Sequence, residues 1–253
     1  MSGWELAGFL LCVAVATCAQ SITGFALALI LLGLTGLFEL APLADVANVA
    51  TVMSLFTSAI ALRGRHGLLD WPILRASVTG SVFGVAIGVG LLAWLSGNVV
   101  MMLRLLLGVV VIACAIVVLV RTAPLAQRSS RASFQGFGLL SGVLGGLFSA
   151  SGPPLVYQFY RQPLALDTVR DTLVATLAVG GVIRLAMVLA SGQFGARSLL
   201  LSALAVPVAM AITWWLRRHP PAWHRKTVLK IVCALLVTTG VGLIAPALQA
   251  LLT

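Results

Sequence analysis

Apolar and polar positions divide the chain into long apolar runs separated by short polar gaps. Runs at 46–62, 72–95, 100–120, 168–190, 198–216 and 228–250 match or approach the roughly 20 apolar residues that a helix needs to cross a bilayer. They lack the alternation of a barrel strand, and only helices or closed barrels satisfy their backbone groups in lipid. The pattern predicts an all-α, polytopic integral membrane fold.

Two further segments, 4–38 and 134–166, are too long for one crossing, and each is interrupted near its middle. The first break reads Gln20-Ser21-Ile22-Thr23-Gly24 and the second Ser149-Ala150-Ser151-Gly152-Pro153-Pro154. About 14 residues on each side give about 21 Å of helix, short of a hydrocarbon core of about 30 Å. Each segment reads as two half-helices meeting at a tip within the membrane.

The breaks fall in one register. Phe9 aligns with Phe137, Ser21 with Ser149, Thr23 with Ser151 and Gly24 with Gly152. After a small change of offset, Val49-Ala50-Thr51 aligns with Val174-Ala175-Thr176. This makes the chain one transmembrane domain, 1–253, built of a repeat at 1–121, a basic loop at 121–133 and a second repeat at 131–253. A period near half the chain is a transporter signature.

Composition narrows the class. Of 253 residues, 60% are hydrophobic and 9% charged, whereas a soluble domain carries about 25% charged residues. A soluble enzyme, a disordered chain and a disulfide scaffold are excluded. The net charge of +10 sits in gaps between apolar runs, the pattern of cytoplasmic loops rather than of a nucleic-acid surface. The four cysteines lie inside apolar runs without metal-ligand spacing, and read as small buried hydrophobes. No metal, cofactor or ATP-binding motif is expected. The N-terminal run carries Glu5 and no basic leader, so it is expected to stay in the protein rather than act as a cleaved signal.

Charge also sets orientation. If each broken segment enters and leaves on one side, the basic residues around 63–75, 121–131, 161–170 and 217–230 share one face. Arg104 and Arg197 are left opposite, and Arg184 lies within a span. Single crossings would divide the charge almost evenly, so the positive-inside bias favours hairpins. Each half then holds one hairpin and three spans. The halves are inverted relative to one another, the large basic loops are cytoplasmic and both termini lie outside. Trp4, Trp71, Trp94, Trp214, Trp215 and Trp223 sit near run ends, where interfacial tryptophans belong.

A half-helix that starts inside the membrane offers unpaired N–H groups and a positive dipole end, which together make an anion site. Such starts follow Gly24 and Gly152, with Ser21, Thr23, Ser149 and Ser151 adding hydroxyls. Pro153 suits a first helical turn. The alternative is that these small residues serve close helix packing. Polar stripes run along the flanking helices through Asn48, Thr51, Ser54 and Ser58, and through Thr172, Thr176, Gly180 and Arg184. Arg184 reads either as a counter-charge for an anion or as a side chain snorkelling outward. Gln20 either donates to substrate or satisfies the broken backbone. Asp45, Asp167 and Asp171 read as helix caps before proton carriers.

Ser149-Ala150-Ser151-Gly152 resembles the serine motif of rhomboid proteases, but His66, His219 and His224 all fall in loops and leave Ser151 without a base. No catalytic residue is expected, and the chain reads as a non-enzyme.

Gln20-Ser21-Ile22-Thr23-Gly24-Phe25 and the stretch Gly142…Gly145-Gly146…Ser151-Gly152-Pro153-Pro154 resemble the TauE/SafE family, the sulfite exporters of the four-toluene-sulfonate uptake permease type, over nearly the whole chain. The resemblance implies a bacterial inner-membrane carrier for sulfite, organosulfonates or related small organic anions, moving mostly outward. It places Phe25 in the first tip. Commoner members carry a Gly-Gly-Gly run in the tips, where this chain has Thr23-Gly24-Phe25 and Ser151-Gly152-Pro153, a difference that bears on pocket size and donors. The expected partners are a small anionic substrate and the lipid bilayer, with homo-oligomerisation left open. An anion channel or an uptake permease using the same site is the alternative. Without an ATP-binding motif, an inside-negative potential itself drives an anion outward, by about 2.3 kcal/mol per charge per 100 mV.

Overall fold

The computed structural model describes residues 3–23, 25–62, 69–98, 100–119, 125–219 and 225–252. Among them the regular structure is entirely helical. In chain order the helices are α1 Gly3–Thr23, α2 Leu27–Leu37, α3 Leu43–Leu62, α4 Trp71–Asn98, α5 Val100–Leu119, α6 Arg131–Phe148, α7 Gly152–Tyr160, α8 Leu166–Ala190, α9 Ala196–Arg218 and α10 Arg225–Leu252. By length and composition α1, α3, α4, α8 and α9 are able to cross a membrane. The described apolar stretches of α5 and α10 are shorter, Met101–Val117 and Val232–Ala245. Trp4, Trp71, Trp94, Trp214 and Trp215 are exposed. Trp223, with His66 and His224, lies outside the described residues.

Helix starts follow local chemistry. Ser130 caps α6 by accepting from the Ser133 N–H at 3.3 Å. Asp70 caps α4, its Oδ1 accepting from the Ile73 N–H at 3.2 Å. Pro153 and Pro154 occupy the first turn of α7, where a missing N–H is tolerated.

Both broken segments double back. Around the first break, a side-chain carbon built on Gly8, early in α1, would lie 3.4 Å from Leu40, beyond α2. Around the second, Phe134 of α6 meets Phe159 of α7 edge-on at 5.8 Å, and Gln158 Nε2 donates to Ser133 Oγ at 3.0 Å. The arms are unequal, which corrects the expectation of about 14 residues on each side: 21 and 11 residues in the first segment, 18 and 9 in the second. Helical order in α1 begins at Gly3 and reaches Thr23, and the Ser130 cap lets α6 start ahead of its apolar run. The short arms lie deep in the protein, and Leu27 through Leu32 of α2 are all buried.

The tightest helix contact joins α4 and α6, which run parallel. Gly80, Gly84 and Gly88 face Gly138, Gly142 and Gly146, and a carbon added at any of the six would come within 2.0–2.6 Å of a carbonyl oxygen of the other helix. Small residues at four-residue spacing let backbones approach this closely. Elsewhere the pairings exchange in a regular way. α3 packs on α8 and α9 while α8 packs on α3 and α4; α4 packs on α6 as α9 does on α1; α2 packs on α10 as α7 does on α5. In the α5–α10 contact, a carbon on Gly108 would meet the Gly240 oxygen at 2.9 Å, and one on Gly240 the Gly108 oxygen at 3.0 Å.

Candidate functional site

At the second break the chain turns on Ser149, whose φ of 56° lies in the left-handed region, uncommon for a residue with a side chain. Its N–H donates to the Gly145 oxygen at 2.8 Å, closing the end of α6. Ser151 packs over Gly145, and its carbonyl accepts from Ser141 Oγ at 2.7 Å. The next residue, Gly152, meets the first break: a carbon added there would lie 2.7 Å from Phe25 Cβ. The two tips are therefore in contact.

The first tip is closed by its own side chain. Gln20 Oε1 accepts from the Leu27 N–H at 3.1 Å, so one open donor of α2 is already satisfied. Of the two readings for Gln20, this is the one in which it completes the broken backbone. Ser21 is exposed and donates to the Thr17 oxygen at 2.9 Å. Gly24 and the side chain of Thr23 lie outside the described residues. In α7, Pro153 and Pro154 remove two further N–H donors. The exposed-amide contribution of both tips is smaller than two bare helix starts would give.

Arg184 brings a charged group to the second tip. It is 2% exposed and turned inward from α8, not outward to the interface. Its Nε donates to the Gly146 oxygen at 3.0 Å. Nη1 donates to Thr51 Oγ1 at 2.6 Å and Asn48 Oδ1 at 3.2 Å, with the Ala47 oxygen at 3.4 Å. Nη2 is buried and has no hydrogen-bond partner among the described residues. Thr51 Oγ1 also lies 3.0 Å from Ser149 Oγ, which ties the guanidinium to the second tip. Among the described residues no carboxylate hydrogen-bonds Arg184. A buried cation without a carboxylate partner is costly, and such residues mark substrate or ion sites.

Asn48 carries the network outward. Its Nδ2 donates to Ser198 Oγ at 3.2 Å and to the Gln193 oxygen at 3.0 Å, and Ser198 Oγ donates to Asp45 Oδ1 at 2.5 Å. Thr176 is buried in α8 and its Oγ1 donates to the Thr172 oxygen at 2.8 Å. The geometry thus joins Asn48, Thr51, Ser149 and Arg184, brings Phe25 and Gly152 together, and bonds Ser21 and Thr176 to carbonyls of their own helices. The carbonyls of Gly146 and Ala47, and the Ser198 hydroxyl, were not anticipated. Carbonyl direction leaves no trace in residue type, although the Gly145-Gly146 pair marked where a side chain was excluded.

The family model described as "Sulfite exporter TauE/SafE" matches residues 9–243. A relative from Cupriavidus necator, "Probable sulfite/organosulfonate exporter TauE", is 36% identical over 231 residues, which cover 91% of this chain and 90% of that protein. No solved structure matches.

Proposed function

The chain belongs to the TauE/SafE sulfite exporter family, and from that membership we propose that it is a secondary transporter exporting sulfite, an organosulfonate or a similar small organic anion across a bacterial inner membrane. It is a membrane carrier and not an enzyme. The observation that carries the anion site is Arg184, a buried guanidinium with one nitrogen unmet, bonded through Thr51 to the second tip. Substrate binds near the midplane, where Arg184 supplies charge and Asn48, Thr51 and Ser149 supply polar groups. Ser151, Gly152, Pro153 and Phe25 form the wall where the tips meet.

The two broken segments are re-entrant hairpins in this reading, and the halves 1–121 and 131–253 are inverted repeats that rock about the site. Doubled-back arms, exchanged helix pairings and the reciprocal Gly108–Gly240 contact support it. The basic loops face the cytoplasm and the termini the periplasm. Arg104, a cation left on the sparse side, is paired with Glu39 at 2.5 Å.

The test is substrate counterflow in proteoliposomes. Preloaded sulfite should accelerate uptake of radiolabelled sulfite or methanesulfonate, and Gly152→Leu, which drives a side chain into Phe25, should abolish it. A channel gives flux without counterflow. Unchanged flux in Gly152→Leu and Ser151→Ala removes the tips from the site.

A further inference from the structure

We infer that the transported species is a monoanion: hydrogensulfite rather than sulfite, and singly charged sulfonates in preference to sulfate. The inference rests on the anion-site reading above and adds the charge of the substrate.

Among the described residues the site holds one cation, Arg184, at 2% exposure. Three acceptors share Nη1 and one takes Nε, which leaves Nη2 as the buried donor without a partner. The sources that would hold a second negative charge are depleted. Leu27 N–H is taken by Gln20, and prolines 153 and 154 have no N–H to offer. Moving an unpaired charge into this low-dielectric site is disfavoured, so a dianion would arrive with one charge unmatched.

Among the described residues no second cation is bonded to this cluster; on α9, Arg197 adjoins Ser198 but is exposed. On α3, Asp45 stands behind Asn48 and Ser198, a negative charge that further disfavours a dianion. On α7, Arg161 is bonded to the Tyr157 hydroxyl at 3.0 Å. On α8 itself, Asp171 is about 20 Å along the helix from Arg184. Arg75 on α4, Arg131 on α6 and Arg170 on α8 lie at or near the starts of their helices. None of these groups hydrogen-bonds Arg184.

Sulfite and hydrogensulfite interconvert near neutral pH, whereas methanesulfonate is a monoanion and sulfate a dianion throughout. The experiment measures exchange of radiolabelled sulfite, methanesulfonate and sulfate by the native protein in proteoliposomes at clamped potential, from mildly acidic to mildly alkaline pH. The readout is the sulfite-to-methanesulfonate ratio, so general effects of pH on the protein cancel. The ratio is expected to fall about tenfold per pH unit on the alkaline side of sulfite's own pKa, with sulfate exchange at background. A ratio that is flat or rises with pH, or sulfate exchanging as fast as methanesulfonate, overturns the inference. Arg184→Gln separates the levels. If it keeps full exchange, the Arg184 site itself is wrong. If it loses exchange while the native ratio rises with pH, the site stands and the monoanion inference alone fails. Exchange of none of the three anions by native protein overturns the transport reading.

Discussion

Arg184 on α8 donates to the Thr51 hydroxyl on α3 at 2.6 Å, and that hydroxyl is the link between the guanidinium and the turn at Ser149. Thr51→Val keeps shape and removes the link. Each buried polar group left unmet costs about 1–3 kcal/mol. Detergent-solubilised Thr51→Val should melt lower than the native protein and lose most of its sulfite counterflow. A double-mutant cycle with Arg184→Gln should be non-additive by about 1 kcal/mol or more. Additive effects would show that the contact contributes nothing of its own.

Gly84 and Gly90 sit on the same helix with opposite surroundings. A methyl at Gly84 would come 2.2 Å from the Leu139 oxygen, while at Gly90 nothing lies within 4 Å. Gly84→Ala should destabilise by about 1–3 kcal/mol through overpacking, and Gly90→Ala should melt at or above the native temperature. Equal behaviour of the two in a thermal melt would refute the close α4–α6 seam.

Ser149 separates strain from chemistry. Replacing a left-handed non-glycine residue by glycine relieves about 1–2 kcal/mol. Ser149→Gly should therefore melt higher than Ser149→Ala, while both lose the hydroxyl beside Thr51 and transport more slowly. Identical melting temperatures would show that the φ of 56° carries no cost.

Gln20 caps α2 through an acceptor oxygen. Gln20→Glu retains that acceptor, so its stability should stay near native, but it sets a negative charge beside the tips and should raise the sulfite concentration needed for half-maximal counterflow. Gln20→Leu should lose about 1 kcal/mol of stability as a broken cap. A Gln20→Glu protein with native sulfite affinity would place the substrate away from the first tip.

Much of this was legible in the residues. Apolar runs located the long helices, because lipid demands continuous apolar length, and the two breaks announced themselves by Gly, Ser and Pro inside such runs. Other features depended on information the chain order does not carry. The unequal arms followed from where caps fall, as at Ser130. For Gln20 two readings stood open, and the Leu27 N–H that its Oε1 accepts from lies across the break, beyond what residue type reveals. Arg184 was equally ambiguous, since its distance from the helix end permits snorkelling, and its inward turn depends on acceptors from α3 and α6 that are far off in sequence. The four-residue spacing of Gly80, Gly84 and Gly88 does not name the helix it meets.

The α4–α6 seam has a genetic corollary. Every missense change one nucleotide away from a glycine codon adds a side chain, and at all six seam positions even a methyl would press on a main-chain oxygen. These codons should be intolerant to every substitution in a saturating mutagenesis library, including those encoding residues far from the anion, while Phe83 and Ile87 of the same helix, which are exposed, drift freely among lipid-soluble types.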